Sequence, residues 1–297
     1  MDSLAFGSPR GRDCPVVAGS LFLPGESFQF ARPMLHALMI LIQQRYVSTD
    51  PARQAELESA RASNERCHLL THTVTVDGAA KRWTFADLFE LAARDFPGQI
   101  CAIANSDISF DASLAAVEPL LSRPSVLVAL TRWDDDTAPS MEGRVDPVTW
   151  RFYSQSQDAW IFRAGALPSF QADFQLGVPR CENRLAFEAA RAGIVIRNPA
   201  LSIKARHHHA TNLRTWKRTD HYRGPLLFPR LTTSVEDGPE GLVLVRGFRK
   251  REAVVRLGDG AVVEAASTTR LGFGDLFRAR LGLRSPFYIR RRLDGTG

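Results

Sequence analysis

Apolar positions in this chain come in two alternating patterns, short unbroken runs and stripes at helical spacing. Ile100-Cys101-Ala102-Ile103-Ala104 is an unbroken run that stops at Asn105-Ser106-Asp107, which predicts a buried strand of a parallel sheet. Thr84 to Phe96 places Phe85, Leu88, Phe89, Ala92 and Phe96 on one side of a helix that Pro97-Gly98 ends. Pro51 to Ala62 is polar and rich in Ala and Glu, and reads as a helix. Cys67 to Val76 is β-branched enough for a strand. Asp111 caps a further helix with Leu114, Val117, Leu120 and Leu121 on one face, stopped by Pro124. Ser125–Leu130, Ala159–Phe162 and Ile194–Ile196 read as strands, and Glu182–Ala192 as a helix. Upstream, Val16 to Leu23 reads as a first strand. Phe30 to Tyr46 reads as a helix, because Met34, Leu35, Leu38, Leu41 and Ile42 recur three and four apart.

This alternation, kept up to about residue 200, predicts an α/β sandwich. Beyond Gly241 the pattern changes. Leu242–Val245, Ala253–Leu257 and Ala261–Ala265 alternate or branch at Cβ, Gly258-Asp259-Gly260 offers a hairpin turn, and Phe273–Leu281 reads as a last helix. The expected organisation is a loose N-terminus over 1–15, an α/β domain over 16–230, and a small β-rich C-terminal appendage over 241–297.

Composition changes this picture at three points. The 297 residues are 44% hydrophobic and 24% charged, an ordinary globular balance with material for a sizeable core. No apolar run approaches the roughly 18 residues of a bilayer span, and the N-terminus lacks a secretory pattern. A cytoplasmic protein is expected, with a peripheral position at the inner membrane surface left open. Cys14, Cys67, Cys101 and Cys181 are scattered without a Cys-x-x-Cys pair, so neither a zinc site nor a disulfide framework is expected. Cys101 reads as a core residue. The formal charge of +6 is uneven, with twelve Arg or Lys against five Asp or Glu in residues 241–297. Such an Arg-rich end suits an anionic partner, a nucleic acid or a membrane surface, and reads equally as a solvated basic face.

The chemistry begins at Asp107. A strand that ends there delivers a carboxylate to the carboxyl edge of an open sheet, where α/β proteins bind ligands. An oxygen ligand at that place suits a hard divalent cation holding a diphosphate. The same stretch also reads as a strand followed by an Asx turn. No Gly-x-x-x-x-Gly-Lys-Ser/Thr loop and no Gly-x-Ser-x-Gly elbow is present, so neither ATP hydrolysis nor a serine hydrolase has its central element.

Six stretches are informative together: Arg82-Trp83-Thr84-Phe85-Ala86-Asp87-Leu88-Phe89, Asn105-Ser106-Asp107-Ile108-Ser109-Phe110-Asp111, Ala129-Leu130-Thr131-Arg132-Trp133, Ser156-Gln157-Asp158-Ala159-Trp160, Leu176-Gly177-Val178-Pro179-Arg180-Cys181-Glu182-Asn183-Arg184, and His207-His208-His209. In order and spacing they resemble a group of nucleotide-sugar-dependent glycosyltransferases of the GT-A fold, over about residues 16 to 230. The resemblance implies a Rossmann-type mixed sheet flanked by helices, a UDP-linked or similar sugar donor, a Mn²⁺ or Mg²⁺ ion, and transfer to a hydroxyl acceptor in glycan or cell-surface polysaccharide synthesis. It departs from the group's usual form at Arg180, where Gly is expected, and at Glu182, where Asp is expected. Arg180 puts the local turn in question if that turn needs positive φ.

On this reading Asp107 is the metal carboxylate, and His207 and His209 are further metal or diphosphate contacts. On an extended chain those two rings share a side while His208 points the opposite way. Asn105 then binds the ribose or a metal-bound water; Arg132, Arg184 and Arg214 are candidate phosphate or carboxylate clamps, and Arg32 is a weaker candidate facing the nucleotide. Glu182, at the start of a helix, is the candidate base that deprotonates the acceptor, with inverting stereochemistry. Asp158 either grips sugar hydroxyls or serves as that base. Trp133 and Trp160 read either as stacking platforms or as core. Two other functions fit the same residues. One is transfer to hydroxymethylated DNA bases, for which the Arg-rich end suits a polyanion. The other is an inactive sugar- or nucleic-acid-binding module, for which Arg180 is the motive.

Overall fold

In a computed structural model of the chain, the residues described are 38–79, 81–134, 136–145, 152–211, 217, 219–233, 240–245 and 251–256. The expected strand at Val16–Leu23, the Gly258-Asp259-Gly260 turn, the strand Ala261–Ala265, the helix Phe273–Leu281, Cys14, Arg32, Arg214 and the Arg-rich end lie outside them. The elements are β1 (Met39–Arg45), α1 (Pro51–Glu65), β2 (Leu70–Asp77), α2 (Phe85–Asp95), β3 (Ile100–Ala104), β4 (Ile108–Phe110), a 3-10 helix (Ala112–Ser122), β5 (Val126–Leu130), β6 (Arg132–Trp133), β7 (Gly143–Val145), β8 (Phe152–Ser154), β9 (Ala159–Arg163), α3 (Cys181–Arg191), β10 (Val195–Arg197), β11 (Ala205–His207), β12 (Leu226–Pro229), β13 (Glu240–Val245) and β14 (Arg251–Arg256).

The main sheet has six strands in the order β10-β5-β9-β3-β1-β2. Neighbours run parallel except at β9, which lies antiparallel between β3 and β5. The sheet is therefore mixed, as the glycosyltransferase resemblance implies, rather than wholly parallel as the run Ile100–Ala104 alone suggested. Both faces are covered. Ile40, Ile42, Cys101, Ile103, Trp160 and Phe162 pack against Phe85, Leu88 and Ala92 of α2 and Leu185, Ala186 and Ala189 of α3. Leu41, Ala102, Val128, Leu130 and Ile161 pack on the other face against Leu114, Val117, Leu120 and Leu121. Alternate residues of one strand thus serve different layers, as the two-residue strand period requires.

The predicted helix Phe30–Tyr46 lies outside the described residues over 30–37 and is corrected over the rest: Met39–Arg45 is β1, paired with β2 and with β3. Met39 to Ile42 form an unbroken buried run, whereas Leu38 is exposed. Spacings of three and four arise by chance in so apolar a segment, and pairing along two neighbours decides for the strand. The predicted helix after Asp111 is present as a 3-10 helix, with Asp111 accepting from the Ser113 amide as N-cap and Pro119 inside it. Proline has no N–H to donate and clashes with an α-helical carbonyl one turn back.

Helix α2 starts where Thr84 and Asp87 form a reciprocal capping box. Helix α1 starts at Asp50, whose carboxylate accepts from the Arg53 amide, with Pro51 in the first turn. Beyond residue 230, the expected strands Leu242–Val245 and Ala253–Leu257 are present as β13 and β14, which pair antiparallel, and β13 also pairs with β12. One three-stranded sheet thus crosses the expected boundary between domain and appendage. Among the described residues, no helix is long and apolar enough to cross a membrane.

Candidate metal centre and active site

A small sheet in the order β4-β11-β6 gathers the chemistry. Asp107 immediately precedes β4, and the antiparallel pairing of β4 with β11 sets His207 opposite Ile108. Parallel pairing of β11 with β6 places Arg132 on the other flank. The His208 amide donates to the Asp107 carbonyl at 2.8 Å, which fixes the first residue beyond β11. Gln43 at the carboxyl end of β1 donates to the Asn105 carbonyl at 2.8 Å and to the Ile108 carbonyl at 3.2 Å. Asn64 donates to the Ile108 carbonyl at 2.9 Å and accepts from the Phe110 amide at 3.0 Å. The loop carrying Asp107 is therefore held by side chains from β1 and α1.

Among the described residues, Asp107, His207 and His209 form the group able to hold a metal ion, one ligand atom from each lying within 4.8 Å of the others. His207 Nε2 lies 3.3 Å and His209 Nδ1 3.5 Å from Asp107 Oδ2. The side chain of Asp107 is 9% exposed, that of His207 10% and that of His209 26%. The alternation expected of the three histidines holds: the rings of His207 and His209 lie 5.0 Å apart, while His208 bonds Ser109 Oγ at 2.8 Å and Ser59 Oγ at 3.2 Å. His207 Nδ1 sits 2.9 Å from Asp134 Oδ1. A carboxylate on the far nitrogen orients a ligating imidazole and raises its basicity.

The donor set suits a metal on one further observation. Among the described residues Asp107 Oδ1, which is buried, has no hydrogen-bond partner, whereas Oδ2 carries the contacts to Arg53, His207 and His209. A buried carboxylate oxygen without a partner is costly, and a cation removes the cost. Burial alone would raise the Asp107 carboxyl, but His207, His209 and Arg53 outweigh it and hold it well below the usual carboxylate range. For His207, burial lowers and the bond to Asp107 raises the imidazole, and the net direction is up. A cation that takes Asp107 and His207 must therefore displace a proton, and its affinity falls as pH falls.

Asn105 and Asp158 meet across the ends of β3 and β9. The Asn105 amide nitrogen donates to the Asp158 carbonyl at 3.1 Å, and Asn105 Nδ2 to Asp158 Oδ1 at 2.7 Å. Asp158 Oδ2 accepts from Ser156 Oγ at 2.6 Å and from Arg132 at 3.4 Å. Arg132 also bonds Asp134 at 2.8 Å and lies 3.7 Å from Glu142. It thereby links the Asp158 side of the site to the His207 side. Asn183 of α3 donates to the Gln157 side chain at 3.0 Å and docks the start of that helix on the same loop. Burial, then the charge of Asp158, pushes the Glu182 carboxyl up to about 7. A carboxylate tuned to neutral pH is suited to general-base work.

The structure separates other candidates from this cluster. Arg184 is buried, ion-paired with Glu188, bonded to the Pro225 carbonyl at 2.6 Å and stacked over Phe174 and Phe187. These contacts make it a packing residue of α3, and none of them reaches Asp107 or Asp158. Trp160 is in the core against Phe85, and Trp133 is buried with its indole N–H on the Ala200 carbonyl at 2.7 Å. Cys101 is core, its thiol pushed up to about 12 by burial. Two contributors escaped the sequence reading, Arg53 and Glu56 on α1. Both are polar residues of a polar helix, and polar residues on such a helix read as solvent-facing.

The turn before α3 does need positive φ, and Arg180 adopts it at φ 73°. A side chain in the left-handed region costs roughly 1–2 kcal/mol that glycine avoids. Arg180→Gly is expected to stabilise the fold by about 1 kcal/mol. A denaturant-unfolding midpoint that stays or falls would show that the contacts of Arg180 outweigh the strain.

No protein-family model matches the chain, and no curated protein matches it.

Proposed function

We propose that the chain is a metal-dependent glycosyltransferase that moves a sugar from a nucleoside-diphosphate sugar, UDP-linked by preference, to a hydroxyl acceptor. The observation that carries this reading is the metal-holding group Asp107, His207 and His209, which Arg132 joins to Asp158 through Asp134; the charge of Asp158 in turn acts on Glu182. The fold class is compatible with it: a mixed six-stranded sheet covered by helices on both faces. The family resemblance of the Asn105–Asp107, Ser156–Trp160 and Cys181–Arg184 stretches supplies the reaction class.

In this reading Asp107, His207 and His209 hold the ion. The ion would offset the negative charge that develops on the departing diphosphate. Two imidazoles with one carboxylate favour Mn²⁺ over Mg²⁺, which prefers an all-oxygen shell. Glu182 takes the proton of the acceptor hydroxyl as its oxygen attacks the anomeric carbon. The bond from that carbon to the diphosphate oxygen breaks, and its electron pair leaves with the nucleoside diphosphate. Asp158, fixed by Asn105, Ser156 and Arg132, raises the Glu182 carboxyl by its charge and presents an acceptor to sugar hydroxyls.

A thermal-shift screen of nucleotide sugars with and without Mn²⁺ tests this. A UDP-sugar at 100 times its Kd adds about 2.7 kcal/mol of apparent stability, and the increment is expected only with Mn²⁺ present. Equal shifts in EDTA, or none for any nucleotide sugar, would count against it.

A further inference from the structure

Helix α1 reads from sequence as a polar helix rich in Ala and Glu, and its side chains grip both strands that carry the metal-holding group. Arg53, Glu56 and Ser59 recur every three residues along one side. Asn64, further along, holds β4. The guanidinium of Arg53 is 8% exposed and ion-paired with Asp107 Oδ2. Its Nε and Nη2 both reach the Tyr46 hydroxyl, at 3.2 and 3.0 Å. Its Nη1 donates to Glu56 at 2.8 Å and to the His208 carbonyl at 3.1 Å. All five of its N–H donors therefore have acceptors, which leaves none for a donor phosphate. Glu56 continues the chain of bonds. It accepts from the amides of Ala210 and Thr211, both at 2.7 Å, and from the Thr211 hydroxyl at 2.9 Å. Burial alone would raise the Glu56 carboxyl, and these partners bring it down to about 2.

His209 lies beyond the end of β11, so no strand pairing places it. What flanks it is the His208 carbonyl on Arg53 and the Ala210 and Thr211 amides on Glu56. We infer that the Arg53–Glu56 pair is a latch that positions His209 against Asp107, Glu56 acting on the ion through that histidine and Arg53 holding Asp107 directly as well. The inference rests on the reading of Asp107, His207 and His209 as metal ligands. His207, set by strand pairing and by Asp134, does not depend on the latch.

The experiment is a Mn²⁺ titration of the full chain followed by electron paramagnetic resonance, with pulsed detection of ¹⁴N couplings from ligating imidazoles. The wild type is expected to show two histidine nitrogens on the bound ion. Glu56→Gln is expected to weaken Mn²⁺ binding about 10- to 100-fold and to lose one of the two couplings. Thr211→Val, which leaves the backbone bonds in place, is expected to weaken binding less and to keep both couplings. Arg53→Lys keeps the charge beside Asp107 but not the fork that reaches His208, and is expected to resemble Glu56→Gln. A helix residue that merely supports folding would lower the unfolding temperature and leave both couplings on the folded protein. Two couplings and unchanged affinity in Glu56→Gln and Arg53→Lys would overturn the latch while leaving the metal site standing. Absence of Mn²⁺ binding in the wild type would overturn both.

Discussion

Asp107→Asn is expected to abolish metal-dependent turnover, with a loss of at least about 10³-fold in kcat/KM. An ion that stabilises charge on a departing diphosphate contributes several kcal/mol, and each 1.36 kcal/mol is a factor of ten. The amide still offers Arg53 an oxygen where Oδ2 stood, so the buried guanidinium keeps an acceptor and the fold is expected to survive. Asp107→Ala removes that acceptor too and is the poorer test, because a buried cation stripped of a partner destabilises the protein on its own account. The measurement is release of nucleoside diphosphate from the donor found in the thermal-shift screen, at saturating Mn²⁺. Activity within tenfold of wild type would remove Asp107 from the metal site.

Glu182→Gln is expected to lower kcat by about 10²- to 10⁴-fold, the usual contribution of a positioned base, while Mn²⁺ and donor affinity stay unchanged. The wild-type rate is expected to rise with pH and to level off above about 7, because the base works ionised and its carboxyl is pushed to about 7. The residual rate of the variant is expected to be flat across that range. Stability gives an independent readout. A carboxyl raised in the folded state binds its proton more tightly there than in the unfolded chain, so its contribution to stability falls as pH rises from the ordinary glutamate range through about 7. Glu182→Gln lacks that loss and is expected to gain in unfolding midpoint relative to wild type above pH 7. A wild-type rate that is flat from pH 5 to 8 would assign the base elsewhere, with Asp158 the next candidate.

Those two residues differ in how legible they were. Asp107 could be placed because the run Ile100–Ala104 ends abruptly and the structure keeps it as β3. The relation of His207 to His209 followed from the two-residue period of extended chain. The environment of Glu182 could not be read, because its raised carboxyl comes from burial and from Asp158, 24 positions earlier. That pairing exists only once α3 docks on the loop before β9. Arg53 and Glu56 were missed for a related reason. Periodicity finds the apolar face of a helix, and these residues hold their targets through hydrogen bonds, which leave no mark in a hydrophobic pattern. Arg184 shows the converse: chosen for its chemistry, it is paired with Glu188 and stacked over Phe174 and Phe187, contacts that no sequence pattern announced. The misreading of Met39–Arg45 arose because a short apolar segment satisfied a helical spacing, and only its pairing with β2 and β3 distinguishes the two.

The central claim is that Asp107, His207 and His209 together hold a divalent cation. Crystals grown with MnCl₂ and UDP, with diffraction recorded on both sides of the manganese absorption edge, test it most directly. The account predicts an anomalous peak enclosed by the Asp107 carboxylate and the two imidazoles, with the diphosphate of UDP on its open side. A map with UDP bound and no manganese beside Asp107 would contradict it.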